Sequence, residues 1–182
     1  ASGGGQIAAQ AQTGRLVVDG LLSAAAPVMP TGYTGDNPYA GSITLKATGA
    51  PSAGSTQAGG TVVIGTHADI NLEAASGKGG SLTVDARRLA LDAAAQAAAN
   101  DNAQVAQTGL DKLLDISRNA SGTAHREVGV RVRGEDMALN TSVKAAMVAL
   151  TTDAGSLTLG QQAKIDATVP QGGVVQLQAQ GN

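Results

Sequence analysis

The sequence predicts an all-β solenoid, a stack of parallel strands interrupted by an Ala-rich helical insertion. Three observations predict it. First, one phrase returns along the chain: a glycine, a small residue, then apolar residues at alternate positions. It reads Gly5-Gln-Ile-Ala-Ala-Gln-Ala, Gly41-Ser-Ile-Thr-Leu-Lys-Ala, Gly60-Thr-Val-Val-Ile-Gly, Gly80-Ser-Leu-Thr-Val-Asp-Ala, Gly155-Ser-Leu-Thr-Leu-Gly and Gly173-Val-Val-Gln-Leu-Gln-Ala. Second, between uninterrupted copies the glycines stand 19, 20 and 18 residues apart (41 to 60, 60 to 80, 155 to 173). A period near twenty residues with short strands is the mark of a repeat in which each turn buries its apolar edge on the next. Third, 42% of residues are apolar, yet there is no Phe or Trp, and Tyr33 and Tyr39 are the only aromatics. A core of Val, Ile, Leu and Ala without large rings suits a narrow cross-section in which like residues sit above like. Period-two runs at this apolar content argue against disorder.

Each element follows from local pattern. After the glycine phrase comes a second run, as in Leu16-Val-Val, Ile70-Asn-Leu-Glu-Ala, Leu89-Ala-Leu-Asp-Ala and Ile165-Asp-Ala, so each repeat is expected to hold two strands. Apolar residues at i and i+2 with polar ones between are the half-buried strand pattern. Glycine-rich breaks such as Ala75 to Gly80 and Pro170 to Gly173 offer the positive-φ corners a sharp change of direction needs. Residues 27–40 carry Pro27, Pro30, Gly32, Gly35, Pro38 and both tyrosines without periodicity, which predicts a projecting loop. Residues 93–124 open on Ala93-Ala-Ala-Gln-Ala-Ala-Ala and place Leu110, Leu113 and Leu114 at helical spacing, which predicts an inserted helix or helix pair. The strand pattern resumes at Val128 and runs through Met137, Val143 and Met147. The whole of 1–182 then reads as one segment of about six to eight turns.

Charge and composition narrow the function classes. Twelve basic and fourteen acidic residues are scattered singly, for a net charge of −2, so nucleic acid and anionic membrane find no basic stripe to bind. No apolar run approaches the length of a membrane-spanning helix. Cysteine is absent, which removes disulfides, thiol nucleophiles and cysteine metal sites. Ala1-Ser-Gly-Gly-Gly lacks the features of a signal peptide, and the chain starts and ends inside the repeat phrase, so an excised piece of a longer protein is expected.

Candidate chemistry is sparse. Enzymes built on such stacks gather two or three acids on adjacent turns. Here Asp69, Glu73, Asp85, Asp92 and Asp166 stand one per strand edge, with Asp69 and Glu73 on one outward face and Asp85 able to stack nearby. They read as solvated carboxylates, and no catalytic, cofactor or metal residue is nominated. His67 and His125, the only histidines, read as surface or turn residues. Gly77-Lys-Gly-Gly lacks the aspartate of a calcium-binding glycine repeat. Arg133-Gly-Glu-Asp136 only approximates a cell-attachment tripeptide and reads as a strand end. Asn119 and Asn140 begin glycosylation sequons, which chance supplies readily in a chain rich in Ser, Thr and Asn. Tyr33 and Tyr39 are candidate contact residues for a protein or glycan, or else a cover for an apolar corner.

The residues from Val128 to Gly181 resemble the filamentous-haemagglutinin family of large bacterial exoproteins. The matching phrases are Gly155-Ser-Leu-Thr-Leu-Gly, Ala163-Lys-Ile-Asp-Ala and Gly172-Gly-Val-Val-Gln-Leu-Gln-Ala, with Gly79-Gly-Ser-Leu-Thr-Val-Asp-Ala similar. The resemblance implies a right-handed parallel β-helix, secreted through an outer-membrane transporter by a two-partner pathway and displayed at the surface of a Gram-negative bacterium. Asn37-Pro38 lies in a polar loop, unlike the Asn-Pro signature of that family's secretion domain, so a shaft segment is expected. The expected function is structural and non-catalytic, in a fibrous adhesin or extracellular filament. Neighbouring copies or flanking turns are its partners, stacked end to end, with host protein or glycan as a further partner. The alternative is a carbohydrate-binding or polysaccharide-degrading β-helix.

Overall fold

The computed structural model describes residues 3–32, 39–50, 59–74, 79–102, 107–118, 125–169 and 172–181. It is mostly β, and every strand pairing among these residues is parallel. The strands come in triplets. The first is β1 (Gln6–Ala11), β2 (Arg15–Val18) and β3 (Leu21–Ser23); the second is β4 (Ser42–Ala47), β5 (Thr61–Ile64) and β6 (Asp69–Asn71). The third begins with β7 (Ser81–Ala86) and β8 (Arg88–Leu91). Helices α1 (Ala93–Asn102) and α2 (Gly109–Ile116) follow before it closes with β9 (Ser117–Arg118). Then come β10 (His125–Val132), β11 (Met137–Leu139), β12 (Ser142–Thr152), β13 (Leu157–Leu159), β14 (Lys164–Asp166) and β15 (Val174–Ala179).

Equivalent strands of successive triplets lie side by side. The first sheet runs β1-β4-β7-β10-β12, with β15 beside the second half of β12 and β14 beside its start. A second sheet is β2-β5-β8, a third is β3-β6-β9, and β11 pairs with β13. The registers build columns of like residues across the first sheet. One reads Ile7, Ile43, Leu82, Val128, Val148, Val175 and the next Ala9, Leu45, Val84, Val130, Leu150, Leu177. Their middle members Ile43, Leu45, Leu82, Val84, Val148 and Leu150 are wholly buried. With Val62, Ile64, Ile70 and Leu139 from the other sheets they form one continuous core. Burying such side chains contributes about 1.5–3 kcal/mol each, which carries a core that has no aromatic ring.

Two expectations about the repeat are corrected. A triplet holds three strands rather than two. The phrases at Gly41 and Gly60 are also not successive equivalents: the first opens β4 in the first sheet and the second opens β5 in the second sheet. The true partner of Ser42 is Ser81, 39 positions on (81 − 42). Alternation states that one side of a strand is buried and is silent about which sheet the strand joins. Gly60 and Gly155 share a backbone reason for the phrase, since both have positive φ (74° and 133°). At Gly155 an added Cβ would also meet the Asp136 backbone nitrogen at 2.8 Å. Finally, the runs at Val143 and Met147 are one strand, β12, whose first half pairs with β14 and second half with β10 and β15.

Candidate functional site

The least regular part of the molecule lies where α2 meets the second sheet. Thr108 is the N-cap, and its side chain accepts the Asp111 N–H in a reciprocal capping box. Leu110, Leu113 and Leu114 bury one side of the helix in the core. Gly109 abuts β8 so closely that an added Cβ would lie 2.6 Å from the Leu89 carbonyl oxygen. On the other side the Thr108 hydroxyl donates to the Ala138 carbonyl of β11 at 3.0 Å. Among the described residues β8 therefore pairs only with β5, and β11 only with β13. Glu135 serves the exposed edge of β8: its carboxylate accepts the Leu89 N–H at 2.7 Å and the Arg88 Nε at 2.9 Å.

Asp111 holds this junction. It is 2% exposed. Its carboxylate accepts the N–H of Thr108 (3.0 Å), of Asn140 (2.6 Å) and of Thr141 (3.2 Å), and the Asn140 side-chain amide (3.0 Å). A buried carboxylate with four N–H donors is a satisfied structural anchor, and all its lone pairs are engaged. Sequence reasoning did not single it out. The only available signal was Thr108 followed three residues later by an acid at a helix start.

A second polar cluster lies on the outer face of the first sheet, where Lys46, Asp85 and Arg131 are register neighbours. Arg133 grips Asp85 through two hydrogen bonds of 2.6 and 2.8 Å, and Arg131 grips Asp153 at 2.9 Å. The Arg133 hydrogen bond holds the Asp85 carboxyl below its usual range, against the opposing effect of partial burial.

The residues nominated from sequence are dispersed. Tyr39 is 42% exposed. It borders a hollow of about 200 Å³ with Gln6, Ser42 and Arg126, while Tyr33 lies outside the described residues. Of the segment read as a loop, residues 27–32 carry no strand or helix. Asp69 is in β6 opposite Leu21, and Asp85 is in the first sheet, so the imagined stack of these two acids does not form. Asp92 accepts the Ala95 N–H at 2.6 Å at the start of α1, and Asp166 accepts the Thr168 N–H at 2.9 Å in a local turn. The Thr168 hydrogen bonds hold the Asp166 carboxyl below its usual range. Glu73 donates its own N–H to the Asn71 side chain.

His67 is exposed beside Asp19, 3.4 Å away. His125 departs from the surface reading. It is 7% exposed, and its Nε2 donates to the Ser117 carbonyl at 3.2 Å while Nδ1 finds no hydrogen-bond partner among the described residues. Burial depresses its basicity, and the Ser117 carbonyl only partly offsets that. Arg133, Glu135 and Asp136 of the four-residue attachment-like stretch are all engaged, the last accepting the Ser156 N–H at 2.7 Å. Asn119 lies outside the described residues, and the Asn140 amide that a sugar would occupy donates to Asp111.

A larger hollow of about 520 Å³ lies on the second sheet between Arg15, Thr61, Val63, Arg88 and the start of α1. Among the described residues that line it the only acid is Asp92, which caps α1. Among the described residues no three His, Asp or Glu side chains converge to hold a metal ion, and no helix is long and apolar enough to cross a membrane. Compared with protein-family models, curated proteins and solved structures, the chain matches none.

Proposed function

We propose that this chain is a right-handed parallel β-helix that serves as a shaft segment: a stiff, non-catalytic spacer in a secreted, surface-displayed fibre of the filamentous-haemagglutinin type. The observation that carries the reading is the set of in-register columns across the first sheet, six strands deep, with apolar residues inside at every level. Such an arrangement transmits force through backbone hydrogen bonds between neighbours and needs no surface site to do its work. Handedness follows the general rule for connections between parallel strands of one sheet. Secretion through an outer-membrane transporter and display on a Gram-negative cell rest on the resemblance of the phrases from Val128 to Gly181. The outward side chains support a spacer too, because Asp85 and Asp153 are spent on ion pairs and Asp92 on a helix cap.

The test is display. Placed between an outer-membrane anchor and a terminal epitope, the chain should hold the epitope where antibody reaches it, and Leu45→Asp in the core should abolish this. Cleavage or saturable binding of polysaccharides in a panel would instead establish the carbohydrate-active alternative. A contact role has one observation in its favour, the exposed Tyr39 beside Arg126. Replacing Tyr33 and Tyr39 by Ala should then remove host-surface binding and leave the fold intact.

A further inference from the structure

Beyond its part in a shaft, we infer that this chain binds a small monocarboxylate with an apolar body in the hollow on the outward face of the second sheet. Strand β5 carries the first observation. It has a strand on either side, β2 and β8, and all four of its residues are buried. Val62 and Ile64 belong to the core, so Thr61 and Val63 face the opposite way, yet they are only 6% and 7% exposed. An outward face that shields its middle strand is recessed. The recess is the hollow of about 520 Å³ that Thr61 and Val63 line with Arg15, Arg88, Ala90 and the start of α1. That volume falls in the range of about 300–1,000 Å³ usual for small-molecule sites. Its centre is an internal strand, so the site does not depend on an open sheet edge.

The registers sort this surface into two rows. Arg15, Thr61 and Arg88 form one; Val17, Val63 and Ala90 form the other, two residues or about 6.5 Å further along the strands. Beside the first row Arg87 packs its stem over Gly60, where an added Cβ would meet Arg87 Cγ and Cδ at 2.9 Å. Arg88 commits its Nε to Glu135 at 2.9 Å, and neither Arg15 nor Arg87 forms an ion pair among the described residues. Cations that lack a carboxylate, set beside an apolar row, fit a ligand that brings the carboxylate on an apolar body. A guanidinium fork matches a planar carboxylate through two parallel hydrogen bonds. Asp92 limits the ligand's charge. Its carboxylate caps α1 at the rim through the Ala95 N–H, and a fixed negative charge there repels a phosphate dianion more than a monoanion.

Equilibrium dialysis against radiolabelled octanoate, below its micelle-forming concentration, tests the site. Octanoate should bind saturably, one per chain. Acetate, octanol and inorganic phosphate, each lacking either the body or the matching head, should compete at least about tenfold more weakly than unlabelled octanoate. Arg15 is exposed, so Arg15→Gln should keep the circular dichroism of the parent and weaken octanoate about tenfold, the loss of one hydrogen bond between charged groups. Lys46→Gln removes the same charge from the first sheet and should leave binding unchanged. The site is overturned by the absence of saturable binding, by equal affinity of the parent and Arg15→Gln, or by acetate, octanol or phosphate competing as well as octanoate. None of these results bears on the shaft, which epitope display decides.

Discussion

The Asp111 carboxylate accepts the Asn140 backbone N–H at 2.6 Å across 29 residues of sequence, and so ties α2 to the strand edge that follows it. Four N–H donors depend on that one buried side chain. Asp111→Ala leaves them without an acceptor and should destabilise the fold by about 3 kcal/mol or more, as hydrogen bonds to a charged group do. Chemical denaturation followed by circular dichroism measures this. A loss under about 1 kcal/mol would mean the carboxylate is dispensable.

The Asp85–Arg133 pair has a calculable sign with pH. Its carboxyl is held below the ordinary value of 3.8, so its contribution is complete above that pH and is lost as pH falls through the folded-state value. The side chains are 23% and 34% exposed, and solvent screening limits the pair to about 0.5–1 kcal/mol. A double-mutant cycle of Asp85→Ala and Arg133→Ala should return that coupling near neutral pH and none at the acid extreme.

His125 acts in the opposite region. Its basicity is depressed below 6.5, so the unfolded chain binds the proton more readily, and stability is full above that pH and declines as pH falls beneath it. His125→Gln keeps a donor for the Ser117 carbonyl and does not titrate. The denaturation midpoint of the parent should drop between about pH 7 and 5, and that of the variant should drop less. Identical slopes would show that His125 does not carry the effect.

Leu150 and Leu177 share a column but differ in cover. Leu150 is fully buried between Val130 and Leu177. Leu150→Ala should cost about 3 kcal/mol. Leu177→Ala, at 42% exposure, should cost less than about 1 kcal/mol in dilute solution. Chemical denaturation of the two variants beside the parent chain reads both.

The strands were legible where alternation is strict: Ser42–Ala47 reads as half-buried, and its burial alternates residue by residue. Which strand lies beside which was not legible, because Gly41 and Gly60 open the same local phrase yet feed different sheets. The strand Ser117–Arg118, inside a stretch read as helical, is two residues long and owes its place to pairing with Ile70–Asn71. Too short to show a period, it could not be seen in advance. Asp111 and His125 escaped for the same kind of reason. A charged side chain three residues into a helix, or a histidine opening a strand, is ordinarily solvated. Their burial depends on Asn140 and Ser117, partners that only the folded chain brings near.

The seating of α2 between β8 and β11 has a mechanical consequence. Among the described residues only the first sheet crosses this level by strand pairing, since the second sheet stops at β8 and the third at β9, and on this flank the link passes through Asp111, Thr108 and Glu135. Side-chain links are fewer and longer-levered than a strand ladder, so compliance concentrates here. In the proposed shaft, bending would flex the stack toward or away from this flank, and tension would open this joint first. The turns on either side would keep their own registers and reseat once the load is removed.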